Sequence, residues 1–159
     1  MTFKVGDKIA HPLHGAGSIC GIERKRVDGK NRDYYVMHIP RGDMRVMIPT
    51  DACEQVGVRP IISAQEAADI LRAIPELEID EDANWNKRYR DNMLHIKSGD
   101  LLKVAAVIKS LTKRDAKAGL SNGERKMLHS AKQILLSELV LSQGSSYDEA
   151  EKQLCEVLS

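Results

Sequence analysis

Aromatic residues and net charge are both scarce in this sequence. Of its 159 residues only 4% are aromatic, with a single Trp and a single Phe. Lys and Arg total 24 against 23 Asp and Glu, which gives a formal net charge of +1. This near-neutrality excludes a polycation that coats nucleic acid through bulk charge. Hydrophobic residues make up 42% of the chain, so it can bury a core, which argues against wholesale disorder.

Long apolar runs and paired cysteines are missing too. No run approaches the roughly 18 residues of a membrane span, and the first residues lack the apolar stretch of a secretory signal. Cys20, Cys53 and Cys155 are far apart and form no CxxC pair, which argues against a disulfide scaffold or a zinc ribbon. We therefore expect a cytoplasmic protein in which Cys20 and Cys155 are small apolar packing residues.

Catalytic and metal-binding patterns are absent as well. His11 and His14 are separated by Pro12 and have no Cys or carboxylate nearby at ligand spacing. The sequence contains neither HExxH nor GxxxxGK[ST], and no His lies beside a cysteine. Because no acid–base or nucleophile arrangement is visible, we expect a non-enzymatic protein without metal or cofactor.

Strand-forming residues and turn signals dominate the first 60 residues. Strands are predicted at residues 8–11, 18–27, 32–39 and 44–48. Pro12 ends the first, glycines at residues 15–17 indicate a turn, and Asp28 with Gly29 is a hairpin signal. Short antiparallel strands with glycine turns predict a small Tudor- or SH3-like β-barrel over residues 1–58.

Helical signals begin after Pro60. Residues 63–66, 121–124 and 146–149 have the Ser-x-x-Glu spacing of a capping box, and Gly119 is a predicted left-handed helix end. Helices are predicted at residues 63–73, 84–98, 100–118, 121–142 and from 146 onward. The acidic stretch 76–82 is predicted as a loop, with Asp82 or Asn84 as the cap of the second helix. The fold class is thus α+β, with a compact domain of about five helices over residues 61–159.

Opposed blocks of charge underlie the near-neutral total. Residues 61–83 contain 1 basic and 7 acidic side chains, whereas residues 84–126 contain 11 basic and 4 acidic ones. Trp85 opens a helix inside that basic block, and cations follow it there. Those considered for phosphate contact are Lys87, Arg88, Arg90, Lys113, Arg125 and Lys126. Two interpretations stay open: a half-buried Trp beside solvated cations, or a phosphate-binding surface with an aromatic wedge.

Several short motifs carry a family resemblance along nearly the whole chain. They are FKVGDK (3–8), HPLHGAG (11–17), YYV (34–36), VGVR (56–59), NW with YR (84–90), SGD (98–100) and GLSNGERKML (119–128). In this order and spacing they resemble the CarD/CdnL family of bacterial RNA polymerase-binding transcription regulators.

The resemblance implies a Tudor-like domain that docks on the polymerase β subunit and a helical domain that contacts promoter DNA. Lys25, Arg45 and Met47 would contact the β subunit. Some relatives have Arg at positions 25 and 47, and Arg45 supplies a cation two residues from Met47. Trp85 would wedge into the minor groove at the upstream edge of the melted region, with the nearby cations on the backbone. Such a protein stabilises the open promoter complex.

The charge of the helical domain and its linkage to the sheet domain are consistent with the function that the resemblance implies, and one alternative function stays open. Phosphate contacts and one wedge give weak sequence specificity, and docking on polymerase would raise the local concentration of the helical domain at the promoter. We expect a monomer that acts this way. The alternative is a protein–protein adaptor whose barrel binds a partner other than polymerase and which has no direct role at DNA.

Overall fold

Residues 8–60 contain the strands of one antiparallel sheet in the computed structural model, which describes residues 2–79 and 83–159. Its strands are β1 (Lys8–His11), β2 (Gly15–Val27), β3 (Lys30–Ile39), β4 (Met44–Pro49) and β5 (Arg59–Pro60). The four predicted strands are confirmed. The predicted turn at 15–17 is wrong, because those residues already pair with β1, and the turn occupies residues 12–14.

The sheet is open, with strand order β4-β3-β2-β1-β5. The predicted barrel is therefore a Tudor-like sheet that does not close within the described residues. β5 is two residues long and pairs with β1, and Pro60 has no N–H to donate. β5 uses residues 59 and 60, which lie between the two predicted domains. β4 forms the opposite edge of the sheet.

The hairpins and faces of the sheet follow the predicted pattern. Asp28 and Gly29 have φ values of 51° and 76°, the positive values that a two-residue hairpin turn requires. In β4, Ile48 is 1% exposed and Arg45 is exposed, so the alternation predicted there is confirmed. The core under this sheet contains Phe3, Ile9, Ile19, Tyr35, Met37, Ile39, Ile48, Cys53 and Val58.

The five predicted helices are confirmed in the second half. They are α2 (Ala64–Ala73), α3 (Trp85–Lys97), α4 (Leu101–Ala118), α5 (Asn122–Gln143) and α6 (Tyr147–Leu158), preceded by a one-turn α1 (Cys53–Val56). A 3-10 turn, Ile74–Glu76, opens the predicted acidic loop, whose residues 80–82, including Asp82, lie outside the described residues. Asn84 is the cap of α3.

Most of the helix ends agree with the local signals in the sequence. Ser63 and Glu66 form a complete capping box. Ser121 and Ser146 each accept a hydrogen bond from the Glu N–H three residues later, but their hydroxyls donate to the Glu carboxylate. Gly119 has φ 78° and ψ 167°, so the left-handed helix end predicted there is wrong.

The cysteines are placed differently from the prediction. Cys20 and Cys155 are exposed, whereas Cys53 is buried, so the prediction that the first two are apolar packing residues is wrong. Cys20 lies at a register shift between Ile19 and Gly21 in β2, which turns it out of the core. Within residues 2–79 and 83–159, no helix is long and apolar enough to cross a membrane.

A buried seam joins the start of β2 and β5 to the middle of α5. The Ser137 hydroxyl accepts from the Ala16 N–H at 2.8 Å, and a β-carbon at Gly15 would collide with that hydroxyl. The Arg59 guanidinium donates to both oxygens of the Glu138 carboxylate, at 2.7 and 2.9 Å. Glu138 is 1% exposed and also accepts the Ile62 N–H at 2.9 Å. These contacts position the helical domain against the sheet.

Candidate nucleic-acid interface

Trp85 stands in the first turn of α3. That helix begins there because the Asn84 side chain accepts the Lys87 N–H at 3.1 Å. Tyr89 follows one turn later, and its ring stacks on the indole with centroids 5.1 Å apart and an interplanar angle of 21°. The indole is thereby held on one side while it remains 43% exposed.

Tyr89 connects this stack to the start of α5. Its ring is partly buried against the helical core, and its Cε2 is 3.5 Å from where a β-carbon of Gly123 would lie. Tyr89 also lines a cavity of about 240 Å³ together with Met93 and Lys126. The structure therefore brings Trp85 and Lys126 into one region, although they lie on different helices.

Arg88 departs from the prediction. It is 3% exposed, and its Nη2 lies 3.5 Å from Oε2 of Glu124, which is 4% exposed. Glu124 also lies 3.9 Å from the Nε of Arg114 on α4. Arg88 is thus placed to tie α3 to α5 from within, and it is too buried to serve as the predicted phosphate contact. The reason is periodicity, since Arg88 is four residues before the buried Asn92.

Lys87 and Arg90 lie on the outer side of α3. Both are exposed, and at about 100° per residue they are rotated by roughly 200° and 140° from Trp85. Lys87 Nζ is 3.9 Å from a carboxylate oxygen of Asp91, one turn further along. These two cations therefore lie on the side of the helix opposite the face that carries the stacked rings.

The start of α5 carries two exposed cations, Arg125 and Lys126. Arg125 donates from Nε to the Leu120 carbonyl at 3.2 Å, which holds its side chain near the helix end. Ser121 caps the helix, and the Glu124 carboxylate already accepts from the Ser121 hydroxyl. The helix N-terminus therefore has its own carboxylate, and attraction for phosphate here comes from the two side chains.

Lys113 belongs to a second basic region. On α4 it lines a cleft of about 290 Å³ with Arg114, Lys117 and the buried Arg88. This cleft is separate from the cavity that contains Tyr89 and Lys126, so Lys113 is not brought beside Trp85. Glu124, on the helix that carries Lys126, contacts two residues of this cleft, Arg88 and Arg114.

The three residues that the family resemblance assigns to polymerase binding share one face of the sheet. Lys25 pairs with Arg32, Arg45 with His38, and Met47 with Val36. Positions 32, 36 and 38 of β3 have the same parity, so their partners face the same side. Arg45 and Met47 sit on the edge strand β4, while Lys25 lies two strands away near the hairpin end.

His11 and His14 come together with ring centroids 4.6 Å apart. His11 is buried, and its Nδ1 accepts the Leu13 N–H at 3.1 Å. Burial, and secondly the neighbouring His14, lower the pKa of His11 from 6.5 to about 4. Among the described residues no group of three or more His, Cys, Asp or Glu side chains is placed to hold a metal ion.

Sequence reasoning missed three parts of this arrangement: Tyr89 as the support for Trp85, Glu124 as a bridge between arginines, and the Arg59–Glu138 ion pair. The spacing of four residues from Trp85 could have indicated Tyr89. A lone carboxylate in the apolar run 134–139 could have indicated a buried ion pair at Glu138.

Comparison with known proteins covers both halves of the chain. The family profile described as "CarD, C-terminal domain" matches residues 67–155, and "CarD-like/TRCF RID domain" matches residues 3–62. "Putative transcription factor YdeB" of Bacillus subtilis (strain 168) is 34% identical over 152 residues, which is 96% of this chain and 97% of that protein. A solution NMR structure of the 72-residue N-terminal domain of Myxococcus xanthus CarD is 27% identical, with a TM-score of 0.33; the match covers 37% of this chain and 79% of that one.

Proposed function

The chain belongs to the CarD/CdnL family of transcription-associated regulators, and from that premise we propose that it is a non-enzymatic protein that stabilises the open promoter complex. It would bind the β subunit of RNA polymerase through the sheet and promoter DNA through the helices, as a monomer in the cytoplasm. The observation that carries the proposal is the exposed Trp85 indole, supported from behind by Tyr89, at a basic end of the helical domain.

The geometry of Trp85 suits a wedge at a base step. Inserting an aromatic side chain partially unstacks that step at a cost of about a few kcal/mol, so it favours DNA that is already opening. Stacking on Tyr89 limits the orientations that the indole can adopt. Lys126 and Arg125 lie on the adjacent helix, where they would hold phosphates. Phosphate contacts carry no sequence information, so the protein would act at many promoters.

The edge strand β4 suits docking on polymerase. An edge strand presents unpaired N–H and C=O groups, to which an extended segment of a partner can add a further strand. Arg45 and Met47 would then contact the partner's side chains. Docking through β4 raises the local concentration of the helical domain at the promoter, so neither half needs tight binding alone.

The lifetime of the open complex on a defined promoter tests this proposal. After challenge with a competitor, wild-type protein should prolong the lifetime, and Trp85→Ala should abolish the effect while binding to core polymerase is retained. Leu94→Ala is the matched control, because Leu94 is an apolar side chain on the same helix and is 64% exposed. If the open-complex lifetime with Trp85→Ala equals that with wild-type protein, Trp85 does not act as a wedge.

A second candidate is an adaptor whose sheet edge binds an extended segment of a protein other than polymerase, since an open β4 would accept either. Affinity capture from bacterial lysate with the full chain separates the two. The polymerase β subunit should dominate the captured material under the first proposal, whereas its absence would favour the adaptor.

A further inference from the structure

The sheet is held against the helical domain unevenly. The buried seam contacts involve Gly15 and Ala16 at the start of the central strand β2 and Arg59 in the edge strand β5, and none of these contacts is made by β3 or β4. The opposite side ends in β4, which is joined to β3 by the turn at residues 40–43. The position of β4 relative to the helices is therefore set by its pairing with β3 and by the contacts of that turn.

Arg41 connects this turn to the helical domain. Its guanidinium carbon lies 3.5 Å from the ring centroid of Tyr147, the first residue of α6. The pair borders a cleft of about 300 Å³, whose other lining residues are Ala16, Ile39 and Pro40 from the sheet and Ser137, Val140 and Leu141 from the helices. The cleft therefore extends from the Ala16–Ser137 contact of the seam to Arg41 and Tyr147, and close packing does not fill it.

We propose that Arg41 and Tyr147 are positioning residues that latch the β4 side of the sheet to the helical domain. The latch fixes the angle between the docking strand β4 and Trp85 without touching polymerase or DNA. Its effect on transcription rests on the function proposed above, whereas its effect on domain geometry does not. An exposed cation–π contact shifts a two-state equilibrium by about two- to fivefold.

The native cysteines allow a direct test. Cys20 in the sheet and Cys155 on α6 are exposed, while Cys53 is buried, so spin labels on the first two report the distance between the domains. Wild type and Tyr147→Phe should give one narrow distance distribution. Arg41→Ala and Tyr147→Leu should broaden it, and Arg41→Lys should restore most of it. Circular dichroism should show all variants folded. Identical distributions in every variant would overturn the latch.

Open-complex lifetime supplies the second readout. Arg41→Ala should shorten the lifetime about two- to fivefold while affinity for core polymerase stays unchanged. The Arg41→Ala/Tyr147→Leu double variant should lose no more than either single one, because the two residues act as one contact. Multiplied losses, or reduced polymerase affinity, would overturn the positioning role. If wild type itself leaves the lifetime unchanged, the proposed function fails, and the distance measurement still decides the latch.

Discussion

The indole of Trp85 lies on the ring of Tyr89, with centroids 5.1 Å apart and planes inclined by 21°. The two residues are one helical turn apart, so the support for the exposed indole comes from its own helix. Tyr89 in turn packs on the helical core and reaches the start of α5. The candidate DNA contact is therefore an element whose orientation is set by the folded domain.

Removing that support should weaken the wedge. In Tyr89→Leu the indole loses a stacking partner worth about 0.5–1.5 kcal/mol, so the open-complex lifetime should fall by roughly two- to tenfold. Iodide should also quench the emission of Trp85, the sole Trp, more strongly than in wild type. Tyr89→Phe keeps the ring and serves as the control. A full lifetime in Tyr89→Leu would mean that the indole needs no support.

Reversing the charge on the edge strand should weaken polymerase docking. Arg45→Glu places a carboxylate beside Met47 on β4, and we expect a clear loss of affinity for an isolated β fragment, greatest at low salt. Arg26→Glu makes the same charge change on β2, at a position whose parity places it on the face opposite Lys25. Equal losses from both variants would indicate a bulk charge effect and remove β4 from the interface.

Alanine variants of two glycines distinguish the effect of backbone strain from the effect of a steric clash at the seam. Gly15 and Gly6 have φ values of 94° and 97°, but only Gly15 has Ser137 in the space of a β-carbon, whereas Gly6 has nothing within 4 Å. Both alanine variants lose the conformational freedom of glycine. Gly15→Ala should be less stable than Gly6→Ala by about 1–3 kcal/mol in urea unfolding, because it overpacks the seam. Equal stabilities would contradict this close contact.

Acid should destabilise the fold through His11. The pKa of His11 is about 4 in the folded protein and 6.5 in the unfolded reference state. Between pH 4 and 6.5, His11 is therefore protonated in the unfolded chain and neutral in the folded protein. The contribution of this difference to the free energy of unfolding is fully present above pH 6.5, and about 3 kcal/mol of it is lost as the pH falls to 4.

The variant His11→Asn isolates that contribution. Its side-chain oxygen can still accept the Leu13 N–H, but it does not titrate. Urea unfolding at several pH values should give a smaller loss of stability between pH 6.5 and 4 than wild type shows. Equal slopes would mean that folding does not lower the pKa of His11.

Local signals explain why much of the fold was predictable. Ser63, Asn84 and Ser121 each cap a helix by a hydrogen bond to a residue three positions on, so helix starts are written in short stretches of sequence. The hairpin at Asp28 is equally local. Whether the sheet closes into a barrel is not determined by a short stretch of sequence, because it depends on where the chain goes after the two residues of β5.

The candidate site was predictable only in part. The basic block and the Trp at a helix start indicated the region, and Trp85 is indeed exposed there. Arg88 looked like its neighbouring cations in sequence, but its burial depends on Glu124, 36 residues away. The Arg59–Glu138 pair spans 79 residues, so only the packed structure brings its members together.

The contact between Ala16 and Ser137 spans 121 residues, and this separation constrains how the protein is made. During synthesis the strands leave the ribosome well before the middle of α5. Until then the Ala16 N–H and the Arg59 guanidinium of the nascent sheet lack the partners that they have in the folded protein. Contacts so distant in sequence close late, because loop-closure entropy opposes them. Domain docking is therefore completed near the end of synthesis, and a nascent chain stalled before residue 137 would leave the docking surface of the sheet uncovered, in addition to the edge strand β4 that the folded protein already exposes.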